Sequence, residues 1–294
     1  MAARPRPTVV HTSGSLLPPR LVGRLWRAAG YAGIALALVV VCLPLYWMLT
    51  AAVKTNREIY TLPPDWIPLA PTLQNFADAW TAAPFGRFYA NSVVLAVVGT
   101  TAKMLNAIFS AYAFAFLRFP KRDVIFVIVL AALMIPEEAT ILPNYLTMAN
   151  FGWVNTFPGL LLPGFVSAFG TFLLRQHFLG LPREVLDAAR VDGAGHLRML
   201  RSIIVPMSRP VLATLLLLTV VNRWNDFLWP LIITNTSDMR TLPIGIYFLF
   251  SQEGNTVWGV VMAGTLFVVL PLLVLFLAVQ RHIVAGIAAG AVKG

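Results

Sequence analysis

Cysteine occurs once in this chain, at Cys42, and charge is scarce, with only 12% of the 294 residues being Asp, Glu, Lys or Arg. A single cysteine excludes an intrachain disulfide, and its place inside an apolar run argues against a metal site. Soluble domains carry roughly 25% charged and about 45–50% apolar residues. Here 58% are hydrophobic, so the chain lacks the polar residues needed to cover a soluble globule of this length. Acid is scarcer than base, 12 residues against 22, which leaves a net charge of +10. In a soluble protein such an excess points to nucleic acid. Here the basic residues lie in short segments between oily runs, which points to membrane topology instead and to no nucleic-acid partner.

Motifs that carry chemistry are also missing. ATP-driven work needs a phosphate-cradling GxxxxGK[ST] loop, and GTTAK at 99–103 does not fit it. The four histidines, His11, His177, His196 and His282, are scattered without metal-ligand spacing. No Gly-x-Ser-x-Gly elbow occurs. The chain is therefore expected to hold no catalytic residue, metal or cofactor of its own and not to be an enzyme.

What is present is a series of apolar runs. A spanning helix needs about 20 mostly apolar residues. Six stretches qualify, at about 30–52, 91–116, 124–146, 157–177, 210–234 and 258–280. The expected fold is an all-α membrane protein with six transmembrane helices. The run at 31–52 exceeds the ~7–15 residues of a signal-peptide core and reads as a span. The organisation follows: a basic tail over 1–28, a membrane domain over 29–284, a polar loop at about 178–209, and a tail over 285–294.

Lys and Arg in the short loops set orientation. Alternate segments divide them sixteen to four, the larger share lying in the N-terminal tail, around Arg118–Arg122, in the polar loop and in the C-terminal tail. That bias puts both termini and the polar loop in the cytoplasm. The segment 53–90, with TLPPDWIPLAP, is then external and reads as extended chain with turns.

The polar loop contains EVLDAARVDGAGHLRMLRSIIVP, starting at Glu184. Pro182 can open a helix, and Glu184 and Asp187 favour its first turn. Ala188 and Ala189 are strong helix formers and give a slim face that could enter a groove on another protein. Asp192-Gly193, followed by Ala194, is a turn signal. Leu197, Leu200, Ile203 and Ile204 then recur at helical spacing, and Val205-Pro206 ends the run. Two short helices at a sharp bend are expected. An amphipathic loop helix lying on the membrane surface accounts for the same residues.

Asp187-Ala188-Ala189, three residues, Gly193, nine residues and Ile203-Ile204-Val205-Pro206 resemble the EAA loop of ATP-binding-cassette importer permeases. That family's pattern is Glu-Ala-Ala, three residues, Gly, nine residues, Ile-x-Leu-Pro. The chain departs from it by Asp at 187 and Val at 205. TVVNRWNDFLWPLIIT (219–234), WGVVMAGTL (258–266), QRHIVAGIAAGAVKG (280–294), NSVVLAVVGTTAK and SAYAFAFLRFP (110–120) are similar to the second permease subunit of maltose-type importers. Within that group, LRFPKRDVIFVIVLAALMIP and SAFGTFLLRQHFLGLP look closest to permeases for glycerol 3-phosphate or glycerophosphodiesters from high-GC Gram-positive bacteria. The resemblance implies a type I importer permease fold. It implies a coupling helix around Glu184, Asp187, Ala188, Ala189, Asp192, Gly193, Ala194 and Leu197 that docks in a cytoplasmic ATPase. It also implies the partners: a sister permease, two ATPase subunits that bind the ATP and magnesium, an extracellular solute-binding protein, and membrane lipid.

Lys103, Glu137, Glu138, Arg223 and Asp226 fall within the expected spans. Charge there is costly and faces a cavity, a partner or another charge. Arg223 and Asp226, three apart, can pair on one helix face. Alternatively Asn222, Trp224, Asn225 and Asp226 line a polar path for a hydroxyl-rich solute, with Asn144 as a further candidate. Glu137 and Glu138 point about 100° apart on a helix, so both facing one cavity squarely is not expected. One is then expected to reach external water and the other to face the path or a neighbouring subunit, and a solvated helix end is the favoured account of both. Lys103 can snorkel, pair with an acid or meet an anionic solute.

The leading expectation is half of the translocation path of an ATP-driven importer for a sugar or sugar-like polyol. Permeation of a mono-, di- or oligosaccharide is the alternative within the same family. A proton-driven secondary transporter using Glu137, Glu138 and Asp226 is the remoter one, weakened by the lack of a recognisable inverted repeat. An intramembrane enzyme using the two glutamates would lack a nucleophile and a metal.

Overall fold

The structure is a computed structural model that describes residues 19–250 and 256–291, with side chains described at 23–250, 256–278 and 280. The chain divides into two units, Met1–Thr50 and Ala51–Gly294.

The first unit is dominated by helix α1, Pro19–Ala52. At 1.5 Å per residue its 34 residues exceed a hydrocarbon core of about 30 Å. The stretch Gly23–Ala52 has a mean hydropathy of 2.3. Its side chains are apolar all round, which suits a lipid-facing span. Helix α1 begins at Pro19, inside the tail expected over 1–28, so residues 19–28 are helical; residues 1–18 lie outside the described residues.

In the second unit the segment 53–90, expected to be external, is more ordered than its prolines suggest. It carries a helical turn at Asn56–Ile59 and an amphipathic helix α2, Gln74–Ala82, which packs on the last span. Helix α3, Phe85–Phe116, starts six residues before the apolar run at 91 and contains a π-turn at Leu95–Gly99. It packs along α7, defined below.

The run at 124–146 is not one straight span. It forms α4, Arg122–Met134, and α5, Glu137–Asn150, bent by 101°. Pro136 removes a backbone donor and holds Ile135 in extended geometry, which stops α4. The next pair, α6 (Phe157–Gly164) and α7 (Ala168–Leu179), bends by 42°. Its halves are capped by Thr156, which accepts from Gly159 N, and Ser167, which accepts from Gly170 N.

The polar loop forms α8, Arg183–Val191, and α9, His196–Met207. Pro206 does not end α9, as the sequence suggests it should. The helix widens into a π-turn at Leu200–Ile204, runs through Pro206 and bends by 82° at Ser208 into α10, Arg209–Trp224. The wide turn is a common way to seat a ring that would otherwise strike the preceding turn. The run at 210–234 is likewise broken: α10 stops at Trp224 and α11 covers Leu228–Ile233. After α12, Leu242–Tyr247, the chain ends in α13, Trp258–Ala291, whose backbone is helical through most of the tail expected at 285–294; residues 292–294 lie outside the described residues.

Among the described residues, two apolar clusters pack around the breaks and the polar loop. One joins α3, α7, α8, α9 and α10 through Ala111, Tyr112, Leu174, Phe178, Leu186, Ala189, Leu200, Ile204 and Leu215. The other joins Leu95, Met148, Leu160, Leu161 and Ile233 with Trp153 and Trp229.

Candidate functional site

Three helix breaks converge on one cavity of about 640 Å³. It is lined by the start of α5 just after Pro136, by Pro163 and Gly164 at the end of α6, and by the Asn225–Phe227 gap between α10 and α11. Broken helices at membrane depth leave backbone groups that only a polar cavity or protein can satisfy.

Lys103, Glu137, Glu138, Asn144, Asn222, Asn225 and Asp226 all line this space, together with Arg223. Sequence positions over a hundred residues apart therefore meet. Trp224 does not line it. Its Nε1 donates to Val268 O at 2.9 Å and its ring meets Tyr89 edge-on, so it packs α10 against α13. Glu137 and Glu138 both reach the cavity, contrary to the 100° argument. They occupy the first turn of α5 at its free, exposed end, where the helix terminus favours carboxylates.

Arg223 and Asp226 pair at 3.7 Å, but not on one helix face. Arg223 lies in the last turn of α10, where its charge complements the helix C-terminus, and Asp226 lies in the break. The Arg223 side chain is 9% exposed, and its Nη2 donates to Leu161 O at 3.4 Å. It threads between two glycines. A Cβ at Gly99 would stand 3.3 Å from its Nε, and one at Gly164 would overlap the guanidinium. Sequence reading missed both glycines, since only the fold brings them to Arg223. Lys103 lies past the middle of α3 and makes no hydrogen bond or ion pair with another described residue, so its ammonium is free to meet a ligand.

The second candidate region is the α8–α9 loop. Ala194 N donates to Ala189 O at 2.9 Å and Gly193 N to Arg190 O at 3.0 Å, with Gly193 at φ +76°. This is the Schellman arrangement that ends a helix on a left-handed glycine. Asp187 pairs with Arg190 at 2.6 Å. Glu184, Asp187, Ala188 and Asp192 are exposed, as are Val191 (88%) and Leu197 (70%). Ala189 is not on this outer face. It is buried with Leu186 against the core shared with α3 and α7, so the expected alanine face is split, Ala188 out and Ala189 in. Leu197 also leaves the apolar stripe expected for it, while Leu200 and Ile204 stay inside. Tyr112 Oη and His196 Nδ1, 2.7 Å apart, tie the loop to α3.

A family model described as binding-protein-dependent transport system inner membrane component matches residues 103–288. The sn-glycerol-3-phosphate transport system permease protein UgpE of Yersinia enterocolitica is 36% identical over 261 residues, covering 86% of this chain and 93% of that protein. The protein of the same name from Escherichia coli is 37% identical over the same shares. A solved bacterial ABC transporter involved in the import of the acidic polysaccharide alginate superposes with a TM-score of 0.80 at 19% identity, over 91% of this chain and 99% of that one. The alginate transporter in complex with an alginate pentasaccharide-bound periplasmic protein gives 0.63 at 16% identity, over 89% and 96%. At such identities the two structures speak to the fold.

Proposed function

This chain belongs to the family of binding-protein-dependent transport system inner membrane components, multi-pass permeases of ABC importers, and on that premise we propose that it forms half of the path by which sn-glycerol 3-phosphate or a similar hydroxylated phosphate enters the cell. The observation that carries this reading is the cavity at the three helix breaks. It offers the unpaired Lys103 ammonium for an anionic group, and Asn144, Asn222 and Asn225 for hydroxyls. The relatives' names supply the solute, and a phosphate monoester matches that pairing of a cation with amides.

The other half of the path comes from a sister permease, and an external binding protein delivers the solute. Two ATPase subunits bind ATP and magnesium and grip the exposed side of α8 around Asp187, Ala188 and Asp192. Both termini and this loop lie in the cytoplasm, as the sixteen-to-four division of basic residues supports. A push on α8 is passed on by Leu186 and Ala189, whose buried contacts reach the ends of α3 and α7. Helix α3 carries Lys103 and Gly99, so the motion arrives at the cavity wall and alternates its access.

The test is reconstitution of the assembled transporter in proteoliposomes. Binding protein loaded with sn-glycerol 3-phosphate should stimulate ATP hydrolysis and uptake, and Lys103→Met should weaken that response. Stimulation only by an oligosaccharide would move the solute to the sugar class. Uptake by this chain alone, driven by a pH gradient without ATP, would overturn the importer reading.

A further inference from the structure

The segment between Tyr60 and Leu73 presents apolar side chains outward while turning its polar groups in. Leu62 (91% exposed), Ile67 (69%) and Leu69 (77%) stand out with Trp66 and Leu73. From 61 to 73 there is no Lys or Arg and one acid, Asp65. The Asp65 carboxylate accepts from Thr61 Oγ1 at 2.9 Å, and its carbonyl accepts from the Lys54 ammonium. The buried Glu58 carboxylate accepts from Leu69 N at 2.9 Å and Ala70 N at 3.0 Å. Four prolines, Pro63, Pro64, Pro68 and Pro71, stiffen what these bonds hold. The apolar display is thus a fixed surface.

Its depth is also fixed. Thr72 N donates to Val53 O at 2.8 Å, and Asn75 Nδ2 donates to the carbonyls of Ala52, where α1 ends, and of Lys54. On the other side Tyr60 Oη donates to Thr256 O at 3.1 Å, two residues before α13 begins. The segment is pinned beside the start of α13, a strongly apolar helix with a mean hydropathy of 2.8. Exposed Tyr247, Phe248, Phe250 and Trp258 belong to the neighbouring stretch of chain. Aromatic rings gather in this way at the boundary between headgroups and acyl chains.

We propose that Leu62, Trp66, Ile67, Leu69 and Leu73 insert into the outer leaflet at the headgroup–acyl boundary and anchor the external face of this subunit in lipid. The proposal rests on the orientation given above. Lipid is favoured over the binding protein as occupant because the surface is uncharged and held beside the start of α13. The exposed polar residues that suit a soluble partner lie elsewhere, as Gln74 and Asp78 on α2 and the Arg87–Asp238 pair at 3.6 Å. An amphipathic element with rigid apolar side chains on one side is what binds that boundary.

The experiment places nitroxide labels, one at a time, at Leu62→Cys, Leu69→Cys and Thr81→Cys in a Cys42→Ser background. The full-length chain, assembled with its partner subunits, is studied in lipid nanodiscs. Labels at 62 and 69 should collide with oxygen more than with a water-soluble nickel chelate, and the label at 81 should show the opposite preference. Nickel access at 62 and 69 places the segment in water and overturns the proposal. Exclusion of both reagents there means a protein covers it, which overturns it equally. An impermeant maleimide added outside whole cells should label Thr81→Cys. If it reacts only after the membrane is opened, the orientation fails and the outer-leaflet assignment fails with it.

Discussion

The α8–α9 loop and the cavity are the two polar regions of an oily chain, and they are made in opposite ways. The loop is contiguous: its bend is a local hydrogen-bonding pattern from Ala189 to Ala194 with Gly193 at φ +76°. The cavity is assembled from α3, α5, α6 and the α10–α11 break, and none of these segments forms it alone. A contiguous device can be handed to a partner as a rigid handle. An assembled one changes shape whenever its contributing helices move. The coupling proposed above uses one of each, joined by the core that runs through Leu186, Ala189, Tyr112 and Phe178.

Variants can separate the two. Arg223→Met is expected to have the largest effect, because removing one side of a mostly buried pair leaves Asp226 uncompensated at a cost of about 3–5 kcal/mol. Thermal unfolding in detergent should register the loss, and solute uptake should fail. The ATPase should still co-purify, since the loop is untouched; its loss from the complex would show that the two regions are not separable. Leu186→Ala opens a cavity in the joining core, at about 2–5 kcal/mol. The prediction is a lowered unfolding midpoint and solute-stimulated hydrolysis that falls more than basal hydrolysis.

A smaller effect is expected at Gly193. No atom lies within 4 Å of a Cβ built there, so the cost is the left-handed backbone, roughly 1–2 kcal/mol for an ordinary residue. Gly193→Val should uncouple hydrolysis from solute, whereas Gly193→Asn, which tolerates that conformation, should retain coupling. Equal loss in both would mean that the surface is read by its partner and the bend is incidental.

The smallest effect concerns the segment around Glu58, Leu69 and Ala70. The Thr55 backbone N–H, aided by Ala70 N, Thr55 Oγ1 and Leu69 N, holds the Glu58 carboxyl below its usual 4.5. A depressed carboxylate contributes order that is complete above its unfolded value and is lost as pH falls through the folded one. The protection factors of the Leu69 and Ala70 amides should therefore fall as pH drops below 4.5 and through the lowered folded value. Glu58→Gln should exchange faster at neutral pH and lose that acid-side dependence.

The chain itself announced the helical class, the number of apolar runs, the loop and its turning glycine, and the charged residues that gather at the cavity. The hydropathy of a run of about 20 residues and the left-handed preference of glycine are properties of short stretches, so they can be read from the chain directly. Three things could not be read that way. Apolar composition does not say where a span breaks, so the 101° bend at Pro136 and the stop at Trp224 were hidden inside runs that look continuous. Helical spacing did not say which alanine faces inward, because Ala189 is buried by Tyr112 and Phe178 from other helices. Trp224 looked like part of the polar surface until its Nε1 was seen to meet Val268 O.

Sequence by itself determined that this is a helical membrane protein with a polar loop turned by a glycine, because those features depend on local composition and local hydrogen bonds. Only the tertiary structure decided that Lys103, Glu137, Asn144 and Asp226 share one cavity and that Gly99 and Gly164 make room for Arg223 between them. The physical reason is burial. A charge this deep in a bilayer persists only where other segments supply its partners, and which segments arrive there is settled by packing across the whole fold.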